Sequence, residues 1–210
     1  MTQKLGISAA VVVGLFGPVV HAQDVALRPD QSQMTFAVNG QSFTVQRDQD
    51  TAAVLTGELA RTSRPCPDFC IQPMIVAEGV TPVAELELLD FLAGPVAAGN
   101  GLLIDARLPD WFAKGTLPAA VNVPFAALAA DNPYQTDILR ALGASGDGGT
   151  LDFSAARALV VYANGPWDEQ GTRAIKHLIA AGYPPSKIHN YRGGVQAWAH
   201  LGLTLTQPAP

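Results

Sequence analysis

The 210-residue chain has only two cysteines, Cys66 and Cys70. Two thiolates cannot complete a metal site without further ligands. After the first 22 residues only His177, His189 and His200 remain as imidazoles. Basic side chains are also few. Lys and Arg number 13 against 18 Asp and Glu, a net charge of −5. That balance excludes the basic footprint of a nucleic-acid binder and makes a poor partner for anionic membranes. No Gly-Lys-Ser/Thr follows the glycine-rich stretch 143–149, so it is no phosphate loop. One long hydrophobic run exists, Leu5 to Val20, and Gly14, Gly17 and Pro18 interrupt it. A spanning helix needs about 20 apolar residues. What is plentiful is apolar content, 48%, ample for a core.

The first 22 residues read as a signal peptide. Lys4 supplies the charged start, Leu5 to Val20 the apolar region, and Val20-His21-Ala22 a small-residue cleavage site. A membrane anchor is the rival reading. Cleavage after Ala22 leaves a chain starting at Gln23, periplasmic or secreted, with no membrane span. Disulfides persist in such a compartment.

Residues 34–47 alternate apolar and polar around Asn39-Gly40, a two-residue hairpin signal. Such a hairpin needs a partner, here the edge or face of a larger domain. Asp48 to Arg61 is expected to be helical, with Ala53, Val54, Leu55 and Leu59 on its apolar side and Gly57 as its weak point. Pro65, Pro67 and Pro73 fix an irregular connection carrying Cys66 and Cys70. A bridge needs Cα atoms about 4.4–6.8 Å apart, which one turn of backbone provides at this spacing. A small structural disulfide is the preferred reading. A labile redox or persulfide pair and a metal site are the alternatives.

The most informative stretch begins at Leu159-Val160-Val161-Tyr162, a buried parallel strand by its apolar, β-branched run. Asn164-Gly165-Pro166 breaks the chain, and Ala174, Ile175, Leu178 and Ile179 then recur at helical spacing up to Gly182. The loop thus leaves the carboxyl end of a strand, where open α/β sheets bind ligands. A nucleophile would sit at Ala163, and a methyl group cannot do that work.

This stretch resembles the active-site region of rhodanese-like sulfurtransferases, in which a Cys leaves the strand, a loop wraps it and an Arg follows. Two further stretches look like signatures of that family. One runs Leu103-Ile104-Asp105-Ala106-Arg107 to Gly115-Thr116-Leu117-Pro118-Ala119-Ala120-Val121-Asn122-Val123-Pro124. The other is Gly193-Gly194-Val195-Gln196-Ala197-Trp198 with Gly202. Together they span about residues 80–205. The resemblance implies an α/β fold, a rhodanese-like doubly wound parallel sheet flanked by helices, preceded by the hairpin extension. It implies domains at 1–22 (signal), 23–79 (extension with the Cys66/Cys70 segment) and 80–207. Asp105 and Arg107 would brace the sheet end beside the loop.

The departures are as clear. The Cys position holds Ala163, so no catalytic residue remains in the loop Asn164, Gly165, Pro166, Trp167, Asp168, Glu169 with Arg173. The loop is longer than the family's usual one, and its two acids repel an anionic donor. Asp168 reads as the N-cap of the next helix with Glu169 in its first turn, one carboxylate filling the vacated anion site. The sharper reading is a site for a cationic group with Trp167 as aromatic contact. Two functions follow: a pseudoenzyme-like binding or regulatory module for an unknown periplasmic protein or small molecule, or a sulfur-transfer or redox protein using Cys66 and Cys70. Neither reading calls for a cofactor or a metal.

Overall fold

The computed structural model describes residues 25–146 and 150–208. The signal-peptide reading of residues 1–22 lies outside them. Strands β1 (Gln33–Val38) and β2 (Gln41–Gln46) form the expected antiparallel hairpin. Asn39 and Gly40 both take positive φ, 50° and 81°, which a tight two-residue turn requires. Phe36 and Phe43 face each other across the pair with ring centroids 5.5 Å apart.

The main unit follows. Its elements are β3 (Thr81–Pro82), α1 (Glu85–Phe91), β4 (Gly101–Asp105), α2 (Pro109–Ala113) and β5 (Val121–Asn122). They continue with α3 (Gln135–Ala141), β6 (Ala158–Tyr162), α4 (Gln170–Ala180), β7 (Ile188–Tyr191) and α5 (Gly194–His200). The five strands pair in the order β3-β7-β6-β4-β5, all parallel. β6 lies at the centre because its run is apolar on both faces. Leu159 and Val161 join a core with Ile104, Ala174, Ile175 and Leu178. Val160 and Tyr162 join the opposite core with Leu88, Leu92, Leu103 and Trp198. The sheet is thus wound on both sides, an α/β architecture with helices on each face.

The hairpin packs on the second core through Met34, Phe36 and Val45, all at most 7% exposed. Its end is tied to the segment after α5 by the Thr204 N–H donating to Gln46 O at 3.1 Å. A 3-10 turn at Phe125–Leu128 precedes α3, and Pro133 lies in the connection between them.

Asp48 to Arg61 departs from expectation. It is not a helix but a run of turns ending in a 3-10 turn at Gly57–Ala60. The Asp48 carboxylate accepts the Asp50 N–H, and the Asp50 carboxylate accepts the Ala52 N–H. The Asp50 carboxylate thereby takes the N–H that a helix starting at Asp48 would give to the Asp48 carbonyl. Val54, counted on the apolar side, is 81% exposed, so no packing favours the helix.

Candidate functional site

β6 ends at Tyr162, and Ala163 is the first residue off the strand, 6% exposed. Residues 164–169 carry the chain to α4. Ala163 O accepts the Val195 N–H at 3.1 Å, and Asn164 O accepts the Gln196 N–H at 2.8 Å. The loop therefore lies directly on the start of α5. Gly194 has φ +60°, and a Cβ there would fall 2.3 Å from Ala163 O. Only glycine allows that approach, which is why the Gly193-Gly194 pair precedes Trp198 in the sequence.

The Asp168 carboxylate turns inward and is buried. One oxygen accepts the Gln170 N–H at 3.0 Å. The other accepts the Asn164 N–H at 3.1 Å, the Asn164 side-chain amide at 2.7 Å and the Gln170 side-chain amide at 2.8 Å. A negative group on backbone N–H at a helix start is favourable, and here the chain supplies it. The cavity bordered by Ala163, Asp168, Gly171 and Thr172 measures about 10 Å³, room for at most about one water.

The capping expectation needs correction. α4 begins at Gln170, so the N-cap position is Glu169 and not Asp168. The four donors around Asp168 hold its carboxylate inside the loop. Glu169 faces outward and pairs with Arg173 at 3.1 Å, both about half exposed. The Arg173 guanidinium also stacks on Phe125, 4.3 Å from the ring centroid.

Beneath the loop, Arg107 and Asp105 form a buried ion pair. Arg107 Nε and Nη2 donate to both Asp105 oxygens, at 2.6 to 3.1 Å. Nη2 also donates to Gly115 O at 2.7 Å, and Nη1 to the Asn164 side-chain oxygen at 3.2 Å. Asp105 accepts further from Thr116 Oγ1 at 2.8 Å and the Tyr162 hydroxyl at 2.9 Å. Burial first, and the Asp105 charge second, push the Tyr162 hydroxyl far above its usual value. One hydrogen-bonded chain thus runs from Asp105 through Arg107 and Asn164 to Asp168 and Gln170. Gln170 closes it by accepting the Leu108 N–H at 2.9 Å. Sequence reasoning missed Thr116, Tyr162 and Gln170. A tyrosine ending a buried strand was the available signal, because its hydroxyl needs a partner.

Above the loop lies the N-terminal extension. Cys66 and Cys70 are disulfide-bonded, with Cα atoms 5.0 Å apart. Phe69, between them, meets Trp167 edge-on with centroids 5.3 Å apart. The Arg64 guanidinium lies 3.6 Å over the Trp167 ring, its side chain 3% exposed. The place read as a cation site is thus taken by this chain's own cation. Burial and then Arg61 lower the Arg64 pKa, while Glu58 and Asp168 act the other way. The Gln72 N–H donates to Pro166 O at 2.8 Å, and Arg192 Nε donates to Gln72 O at 2.8 Å. The Trp167 N–H donates to Gln196 Oε1 at 2.7 Å, and the Gln196 amide donates to Leu59 O at 2.8 Å. The sequence brings Cys66/Cys70 and the loop together without any spacing that announces it.

Among the described residues, no cluster of three His, Cys, Asp or Glu side chains is placed to hold a metal ion.

The profile described as Rhodanese-like domain matches residues 88–201, more than half of the chain. Similar solved structures include a human single-domain sulfurtransferase, 24% identical over 57% of this chain and 96% of that one, with TM-score 0.40. A rhodanese-related protein from Thermoplasma volcanium is 16% identical over 61% of this chain and 99% of that one, with TM-score 0.42. An uncharacterized protein from Saccharomyces cerevisiae is 22% identical over 57% and 91%, with TM-score 0.41. No curated protein matches the chain. By the profile match and the five-stranded parallel sheet it spans, the chain belongs to the rhodanese-like domain family.

Proposed function

We propose that this protein is an exported rhodanese-like module that binds or regulates a partner and does not turn over thiosulfate. The carrying observation is the loop itself. Ala163 stands at the nucleophile position, and the Asp168 carboxylate occupies the N–H groups that an anionic donor would need. Rhodanese chemistry requires a thiolate that holds sulfur as a persulfide. A methyl side chain cannot form that bond.

A groove of about 990 Å³ beside the loop supports the binding reading. It is edged by Leu55, Leu59, Trp167, Gln196 and His200. The partner is a periplasmic protein or a small molecule. Export rests on the signal-like residues 1–22. Among the described residues no helix is long and apolar enough to cross a membrane. Two measurements test the proposal. Thiosulfate:cyanide sulfurtransferase activity should not exceed background. The N-terminus of material from the exported fraction should be Gln23. Turnover that survives Cys66→Ala and Cys70→Ala would overturn the non-catalytic reading.

The second reading is sulfur transfer or redox work by Cys66 and Cys70. Their contact with the loop, through Phe69 on Trp167, favours it. A thiol on either residue that takes up sulfane sulfur would support it.

A further inference from the structure

The segment from Gly57 to Gln72 crosses the loop as a strap, yet little regular structure holds it. Its only helical turn is Gly57–Ala60. Its grip on the loop and the start of α5 is a short set of contacts: the Arg64 and Phe69 side chains on Trp167, the backbone hydrogen bond from Gln72 to Pro166, and the Gln196 and Arg192 side chains on the Leu59 and Gln72 carbonyls. Two of these, Phe69 and Gln72, lie within or just beyond the ring that the Cys66–Cys70 bond closes. Cys66 is exposed and Cys70 half-buried, so the bond is open to attack from solvent.

We propose that the Cys66–Cys70 disulfide latches this strap over the 163–169 loop, so that reduction by a dithiol uncovers Trp167 and makes binding at the loop redox-gated. This rests on the reading of the loop as a binding surface. The chemistry is ordinary exchange. A thiolate of the dithiol attacks Cys66 Sγ, forming a mixed disulfide and expelling Cys70 as a thiolate, which takes up a proton. The second thiol of the reductant then displaces Cys66, which leaves as a thiolate and is protonated in turn. The dithiol departs as a disulfide, oxidised by two electrons, and the two cysteines are reduced by two. The five-residue ring opens, and Phe69 loses the constraint that holds it against Trp167. Arg64 is then attached to the loop only by its stacking.

The test is acrylamide quenching of tryptophan fluorescence in Trp111→Phe, before and after treatment with a dithiol. Trp167 and Trp198 remain, and Trp198 is fully buried and out of the quencher's reach. Reduction should raise the quenching constant at least about twofold, as expected for opening of a weakly held segment. Phe69→Ala should raise it with the disulfide intact. Circular dichroism checks that both species keep the fold. Equal quenching of oxidised and fully reduced protein, with reduction verified by mass, would overturn the latch. A sulfurtransferase assay on both redox forms separates the two proposals. Turnover by the reduced form would refute the non-catalytic reading and leave the latch standing. Unchanged quenching would refute the latch and leave the non-catalytic reading standing.

Discussion

Asp168 takes both hydrogen bonds that Asn164 can offer it, from the backbone N–H at 3.1 Å and from the side-chain amide at 2.7 Å. Asn164 in turn accepts from Arg107, which is paired with Asp105. The negative charge on Asp168 is therefore tied to a buried cation through one amide. The loop thus supplies its own anion to the N–H groups of Asn164 and Gln170.

Asp168→Ala should destabilise the fold. It leaves the Asn164 and Gln170 N–H donors without their acceptor inside the loop. The cost of unsatisfied buried donors is about 1–3 kcal/mol. A urea titration at neutral pH, with an unchanged slope and a lower midpoint, would show it. An unchanged midpoint would mean that water replaces the carboxylate.

Arg107→Met should cost more, about 3–5 kcal/mol, because it strands a buried carboxylate. The double variant Arg107→Met with Asp105→Leu should recover part of the loss. Denaturation of the parent, Arg107→Met, Asp105→Leu and the double variant completes the cycle. Additive losses would show that the pair is not coupled.

How much of this was legible depended on whether the signal was local. β6 was readable because Leu159 to Tyr162 is apolar on both faces, and Asn39-Gly40 fixed the hairpin by backbone chemistry alone. Ala163 could be placed because the strand ends in a recognisable break. The helix expected over 48–61 failed because Asp50 captures the Ala52 N–H and Val54 finds no packing, neither of which apolar spacing records. The inward turn of Asp168 depends on Asn164 and Gln170, and the position of Arg64 depends on Trp167, about a hundred residues away. Contacts between distant segments carry no periodicity, so the strap over the loop was invisible in the chain.

Alkaline pH should weaken the protein. Burial pushes the Tyr162, Tyr183 and Tyr191 hydroxyls above their usual value, and Glu85 adds to this at Tyr191. These groups stay protonated in the folded state while the unfolded chain ionises near about pH 10. The unfolded state then binds fewer protons, so stability is full below about pH 10 and falls as pH rises beyond it. Tyr183→Phe removes one such group. It should lose about 1 kcal/mol at neutral pH with the hydrogen bond to Arg157 O, and show a shallower fall between about pH 10 and 11 than the parent. Thermal melts across that range would check it, and parallel falls in the two proteins would show that Tyr183 is not responsible.

Ala163→Cys tests whether the loop can be returned to sulfur chemistry. A thiol at 163 would enter a cavity of about 10 Å³ beside the Asp168 carboxylate. Burial and the adjacent negative charge both disfavour the thiolate, against the help of the helix start. Alkylation by iodoacetamide should therefore be slower than that of an exposed cysteine by at least about tenfold at neutral pH. Adding Asp168→Gly removes the charge and frees the N–H groups of Asn164 and Gln170 for a thiolate. The rate should then rise, and it should rise further with the strap opened by Phe69→Ala. Charge repulsion between exposed groups is screened by salt, whereas a buried carboxylate acts nearly undiminished. Raising the ionic strength should thus leave the single variant almost as slow. Fast alkylation of Ala163→Cys alone would mean that Asp168 does not hold the loop's donors in solution. Rates taken with the Cys66–Cys70 disulfide intact, and the alkylated peptide located by mass, would assign the reaction to position 163.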